Sequence, residues 1–241
     1  MTITTTHLIR EGVRLACRDY GGDGPPVLLL HGLAGDAEEW SQTASWLTAR
    51  CRVIAADARG HGQSEPLPSD VSRDAVVADA ACVIEQLGLG PTIVVGQSLG
   101  GLTAMSLAAR RPELVRALVV VDASPLGGSE VTEAAARDLG CALRAWTGPT
   151  RPQWDAMALY VRTLRAALGQ PSWDEWERIS CPTLIVRAGN GVVEPTVARA
   201  MLARLPRATL LELPDAAHDL HLDQPDEWRR VLDGYINTLD L

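Results

Sequence analysis

The chain is 241 residues long, 46% apolar and 22% charged, with a formal net charge of −8. That size suits one globular domain, whose folding removes roughly 70 to 75% of the extended chain's surface from water, so neither metals nor disulfides are needed to hold it. All 22 basic residues are arginine; without lysine, side-chain Schiff-base chemistry and phosphate-loop nucleotide binding are excluded, and an acidic chain with scattered arginines lacks the basic stripe of a nucleic-acid binder.

In chain order, residues 6–20 read as a hairpin turning near Gly12, followed by the break GGDGPP and a buried strand, VLLLHG, at 27–32. A helix around residues 40–49, strand 52–57, helix 73–87, strand 92–97, helix 99–110 and strand 117–122 follow. Short Val/Ile/Leu runs alternating with alanine-rich helical stretches predict a mostly parallel α/β sheet. Residues 124–180 contain no convincing strand and hold Trp146, Trp154, Trp173 and Trp176, four of the seven tryptophans, so this stretch is expected to be a small helical insertion. The sheet resumes with strand 183–188, helix 195–205, strand 209–214 and a closing helix over 226–239. The five cysteines, Cys17, Cys51, Cys82, Cys141 and Cys181, are widely spaced without C-x-x-C, which reads as reduced thiols in a cytoplasmic protein. No apolar run reaches about 18 residues and the opening MTITTTHLIREGVRLACRDY has no signal-peptide core, so no membrane span or secretion is expected.

The sharpest chemical feature is Gly96-Gln97-Ser98-Leu99-Gly100-Gly101, between an apolar strand and an alanine-rich helix. A serine hydroxyl is a poor nucleophile unless it is held clear of the backbone near a base and an oxyanion site; a tight strand-to-helix turn flanked by glycines provides that. His31-Gly32-Leu33-Ala34-Gly35 follows the buried strand 27–30, so the backbone N–H groups of Leu33 and Leu99 are expected to form the oxyanion pair. The segment Pro214 to Pro225, just after the last strand, carries His218 and His221, and a histidine there can reach the serine from the sheet's carboxyl edge.

With these motifs in order, and with DARGHGQS at 57–64, the chain resembles the α/β-hydrolase superfamily over nearly its whole length. The resemblance implies an eight-stranded, mostly parallel sheet, residues 1–123 and 181–241 as the core and 124–180 as a helical cap. It maps the catalytic base onto His218, with Ala217 in place of the usual glycine, and makes His221 a structural neighbour. His31 and His61 fall in turns whose role in the family is loop geometry, Arg59 reads as a loop tie rather than an anion site, and His7 reads as a surface residue. The acid departs from pattern, because Gly189-Asn190-Gly191-Val192-Val193 after strand 183–188 offers no carboxylate. Three alternatives stay open: Asp122 at the end of the preceding strand, a position some relatives use, such as certain haloalkane dehalogenases; Glu194, two residues past the usual place; or no carboxylate, with Asn190 orienting the imidazole.

Serine with a histidine base implies acyl transfer, and serine rather than aspartate at the nucleophile position argues against dehalogenase or epoxide hydrolase chemistry. The expected function is hydrolysis of a small to medium, largely uncharged carboxylic ester or lactone through a Ser98 acyl-enzyme. Two alternatives remain: a thioester, carbon–carbon or cyclisation reaction reusing Ser98 and His218, and a non-catalytic small-molecule receptor. Trp40, Trp146, Trp154, Met157 and Tyr160 are the expected substrate-lining residues. No organic cofactor, metal, nucleic acid or membrane partner is expected, and a monomer and a homodimer are equally compatible with the sequence.

Overall fold

The computed structural model describes residues 3–33, 35–125 and 173–239. β1 (Thr4–Arg10) and β2 (Val13–Gly21) form a hairpin with Arg10 opposite Val13. Its two-residue turn, Glu11-Gly12, has φ of 50° and 80°. Positive φ at both positions gives the primed turn that matches the strands' right-handed twist, and glycine makes the second position cheap.

β3 (Pro26–Leu30), α1 (Ser41–Leu47), β4 (Arg52–Ala56), α2 (Arg73–Gln86), β5 (Thr92–Gln97), α3 (Leu99–Arg110) and β6 (Val115–Val121) follow in alternation. After α4 (Trp173–Glu177) come β7 (Thr183–Asn190), α5 (Pro195–Arg204), β8 (Ala208–Ala217), the short α6 (Leu220–Asp223) and α7 (Pro225–Ile236). The eight strands form one sheet in the order β1-β2-β4-β3-β5-β6-β7-β8, parallel from β4 to β8. This is the α/β-hydrolase architecture that the sequence predicts.

Strand alternation divides the core into two layers. Leu28, Val94, Leu118 and Ile185 point to the face where Met105 of α3 and Met201 of α5 pack; Leu29, Val95, Val119 and Val186 point to the opposite face, against Leu47 of α1 and Trp228 and Leu232 of α7. A parallel sheet covered on both faces needs such continuous apolar strands, and all six residues of β5 are buried.

Trp176, within the stretch expected to be an insertion, is fully buried in the first layer and donates its indole N–H to the Met201 carbonyl at 2.9 Å. The end of that stretch therefore packs with the sheet's helical flank. The remainder, residues 126–172, lies outside the described residues. Among the described residues, no helix is long and apolar enough to cross a membrane.

Candidate active site

The turn between β5 and α3 places Ser98 at φ 51°, ψ −114°, a backbone conformation that costs a non-glycine residue roughly 1–3 kcal/mol. Three contacts impose it. The Ser98 N–H donates to the Val121 carbonyl at 3.0 Å. A Cβ on Gly96 would lie 2.2 Å from the Gly100 carbonyl oxygen, and a Cβ on Gly100 would lie 2.2 Å from that of Leu30. Only glycine at both positions lets the helix start this close to the strand ends. The serine side chain makes no capping bond to α3, so its hydroxyl is left for chemistry.

The segment after β3 is pinned beside this turn by His31. Its Nδ1–H donates to the Gly32 carbonyl at 2.7 Å, and its Nε2 accepts the Ala58 N–H at 2.9 Å. Both ring nitrogens are thus occupied, which makes His31 a structural tie. A Cβ on Gly32 would lie 3.3 Å from the Ser98 Cβ, so the segment after β3 passes close beside Ser98. Leu33 and Leu99 share one small apolar cluster with Val71 and Val76. The Leu99 N–H, in the first turn of α3, has no intrahelical acceptor.

Asp122 follows β6 with φ 42°, a region that aspartate tolerates better than most residues. Its side chain is fully buried. Oδ2 accepts the Nδ1–H of His218 at 2.7 Å and the Val192 N–H at 2.8 Å, while Oδ1 accepts the Ala188 N–H at 3.3 Å. The end of β7 and the first residues after it, which carry no carboxylate from Ala188 to Val193, therefore cradle the carboxylate of the neighbouring strand. Gly191 makes that possible, since a Cβ there would lie 2.0 Å from Asp122 Oδ2. With Nδ1 committed to Asp122, Nε2 of the part-exposed His218 imidazole is the atom left to take a serine proton.

The loop carrying His218 is closed by Asp223, whose Oδ2 accepts the Ala217 N–H at 2.9 Å. It is also held by Gln97, the residue before the nucleophile, which sequence reasoning passed over as the variable letter of the motif. Gln97 Nε2 donates to the His218 carbonyl at 3.2 Å and to Asp219 Oδ1 at 3.0 Å.

Other expectations come out differently. Glu194 is exposed at the start of α5, where its carbonyl accepts the Val197 and Ala198 N–H groups, and it is not the partner of His218. Asn190 instead donates to the Asp215 carbonyl at 3.3 Å. Trp40, expected to line the substrate pocket, is fully buried: its ring stacks 4.1 Å from that of His221 and meets that of Trp228 at a tilt, 6.2 Å away. Its turn is fixed inward by the Ala37 N–H donating to Asp57 Oδ1 at 2.7 Å. His221, also buried, lies 3.3 Å from Glu39 Oε1.

Arg59 is engaged by Asp79 in a two-point pair, Nε to Oδ2 at 2.5 Å and Nη2 to Oδ1 at 2.7 Å, and donates to the Asp70 carbonyl at 2.7 Å. His61 is buried beside His31, and burial first, then the neighbouring His31, pushes its pKa down to about 3. His7 is exposed on β1. Trp146, Trp154, Met157, Tyr160 and Cys141 lie outside the described residues.

A nucleophile elbow followed by a sheet-edge histidine–carboxylate pair is the arrangement of α/β-fold hydrolases, and the chain belongs to the alpha/beta hydrolase fold family, matched over residues 25–159. It is 30% identical over 251 residues to sn-1-specific diacylglycerol lipase ABHD11 of Mus musculus, covering 88% of this chain and 81% of that protein. It is 26% identical over 244 residues to (E)-2-((N-methylformamido)methylene)succinate hydrolase of Acinetobacter baylyi, covering 90% and 92% of the two chains. The crystal structure of the enol-lactonase from Burkholderia xenovorans LB400 superposes with a TM-score of 0.79 at 20% identity, over 96% of this chain and all of that one. The chain is a hydrolase of the α/β fold with lipase- and esterase-like relatives.

Proposed function

We propose that the protein is a serine hydrolase of small to medium, largely uncharged carboxylic esters or lactones. The observation that carries this reading is the 2.7 Å contact of His218 Nδ1 with Asp122, on a loop tied to the residue next to Ser98. Ser98 Oγ attacks the substrate carbonyl as His218 Nε2 takes its proton, and the Leu33 and Leu99 N–H groups receive the developing oxyanion. The imidazolium is stabilised by Asp122 and returns the proton to the leaving alkoxide. Water, deprotonated by the same imidazole, then attacks the acyl-enzyme and releases the acid, with the serine reprotonated.

An uncharged substrate is supported by the two arginines buried among the described residues, since Arg59 is held by Asp79 and Arg187 by Glu212 and the Val193 carbonyl. Relatives named as a lipase and a lactonase point to the same bond class. We place the enzyme in the cytoplasm, a location supported by free thiols at Cys17, Cys51, Cys82 and Cys181.

The test is steady-state hydrolysis of p-nitrophenyl acetate, butyrate and octanoate, with rapid acid quench and mass analysis of the Ser98 peptide. Wild type is expected to turn over repeatedly and to carry one acyl group on Ser98, and Ser98→Ala to do neither. Wild-type turnover no faster than that of Ser98→Ala would contradict the reading.

A further inference from the structure

We propose that Gln97 is a positioning residue for His218, a strut that sets the distance between the oxyanion turn and the loop carrying the base. Its side chain is almost wholly buried, at 1% exposure. A buried amide is destabilising unless its polar atoms are bonded, so an apolar residue would serve simple packing better. Here the amide nitrogen has two acceptors and the amide oxygen sits against a glycine. Nε2 reaches the His218 carbonyl at 3.2 Å and Asp219 Oδ1 at 3.0 Å. At the other end, Oε1 lies beside Gly32, filling the space a side chain there would need: a Cβ added to Gly32 would be 2.1 Å from it. The amide therefore spans from the segment beside Ser98 to the backbone of the base, one residue from the nucleophile itself.

Asp122 fixes a single ring atom of His218, and an imidazole held at Nδ1 alone can still swing about that bond. Holding the backbone of the same residue removes this freedom. Gln97 touches neither substrate nor proton, so its loss acts through the placement of Nε2, and misplacement of a reacting group by about 1 Å costs on the order of 10² in rate. The effect belongs in kcat, with substrate binding left in place.

Three variants test this: Gln97→Ala, Gln97→Glu, and Gln97→Glu combined with Asp219→Asn. Glutamate keeps the shape of glutamine but puts an oxygen where Nε2 stood, facing two acceptors. In the double variant the new asparagine amide can donate to the introduced carboxylate and restore one link. The expected result is a fall in kcat of about 10- to 100-fold for both single variants, KM within about twofold of wild type, and partial recovery in the double variant.

The kinetic arm rests on the ester-hydrolase reading above, so a second measurement is independent of turnover: the downfield proton resonance of His218 Nδ1–H, identified by its loss in Asp122→Asn. It is expected to shift or exchange faster in Gln97→Ala and to return toward its wild-type position in the double variant. An inactive wild type with this resonance pattern would sink the function and keep the strut. Wild-type-like kcat and resonance in Gln97→Ala, or losses that only follow a lowered thermal midpoint, would overturn the proposal.

Discussion

The Asp122 carboxylate accepts three hydrogen bonds, from His218 and from the backbone of Ala188 and Val192, and those two amides hold it in line before any substrate arrives. Such preorganisation needs room, and Gly191 supplies it. Gly191→Ala would bring a methyl group to 2.0 Å from Oδ2 and force the carboxylate aside. Its kcat is expected to fall by about 10², whereas Asn190→Ala, which removes one exposed 3.3 Å bond, stays within about threefold. Steady-state kinetics on one ester checks both. Ser98 and His218 were legible in the sequence because each sits in a short motif whose local geometry implies its position. The partner of His218 was not, since choosing between Asp122 and Glu194 depends on which strand end faces a histidine 96 residues further along from Asp122. Trp40 misled for a related reason: an aromatic beside the segment after β3 can face the pocket or the core, and its burial against His221 and Trp228 is a long-range contact that the local sequence does not show.

At the scale of elements, the β5–α3 turn and the α2 contact with the loop after β4 carry the strongest constraints. A methyl group on Gly100 would strike the Leu30 carbonyl, which belongs to a central strand and cannot yield. Gly100→Ala is expected to destabilise the fold at the upper end of the ~1–3 kcal/mol overpacking range, read as a lower denaturant midpoint with an unchanged slope. Asp79 of α2 holds both Arg59 and Arg10, and the Arg59–Asp79 pair is buried, at 3% and 8% side-chain exposure. Removing the carboxylate by Asp79→Ala strands Arg59 inside the protein and is expected to lower stability by about 3–5 kcal/mol in the same assay. Strand and helix positions were legible because the apolar runs are short and uninterrupted. The main extension is β8, which the sequence ends at Pro214 and the structure continues to Ala217. A proline lacks an N–H for the ladder, yet β8 is the sheet's edge and shifts register around that residue, so the missing donor breaks no pairing there.

For the whole molecule, burial of neutral His61 links stability to acid. Its folded pKa, pushed down to about 3, lies below the ordinary value of about 6.5, so above pH 6.5 both folded and unfolded states hold it neutral. As pH falls, the unfolded chain takes the proton first, and the stability present above pH 6.5 is lost progressively toward pH 3, at up to about 1.4 kcal/mol per pH unit. Denaturant titrations at pH 7.5 and 5.5 are expected to show His61→Gln losing about 1.4 kcal/mol less than wild type over that interval. The sheet itself brings the site together, because β5, β6 and β8 all run in one direction and deliver residues 98, 122 and 218 to the same edge. The bond between His218 and Asp122 puts the proposed acid after β6, not after β7. The kcat of Asp122→Asn and of Glu194→Gln, measured side by side on p-nitrophenyl butyrate with folding verified for each, tests it most directly. A loss of about 10³ to 10⁴ is expected for Asp122→Asn and a change within about twofold for Glu194→Gln; near-wild-type turnover by Asp122→Asn would overturn the assignment of the acid.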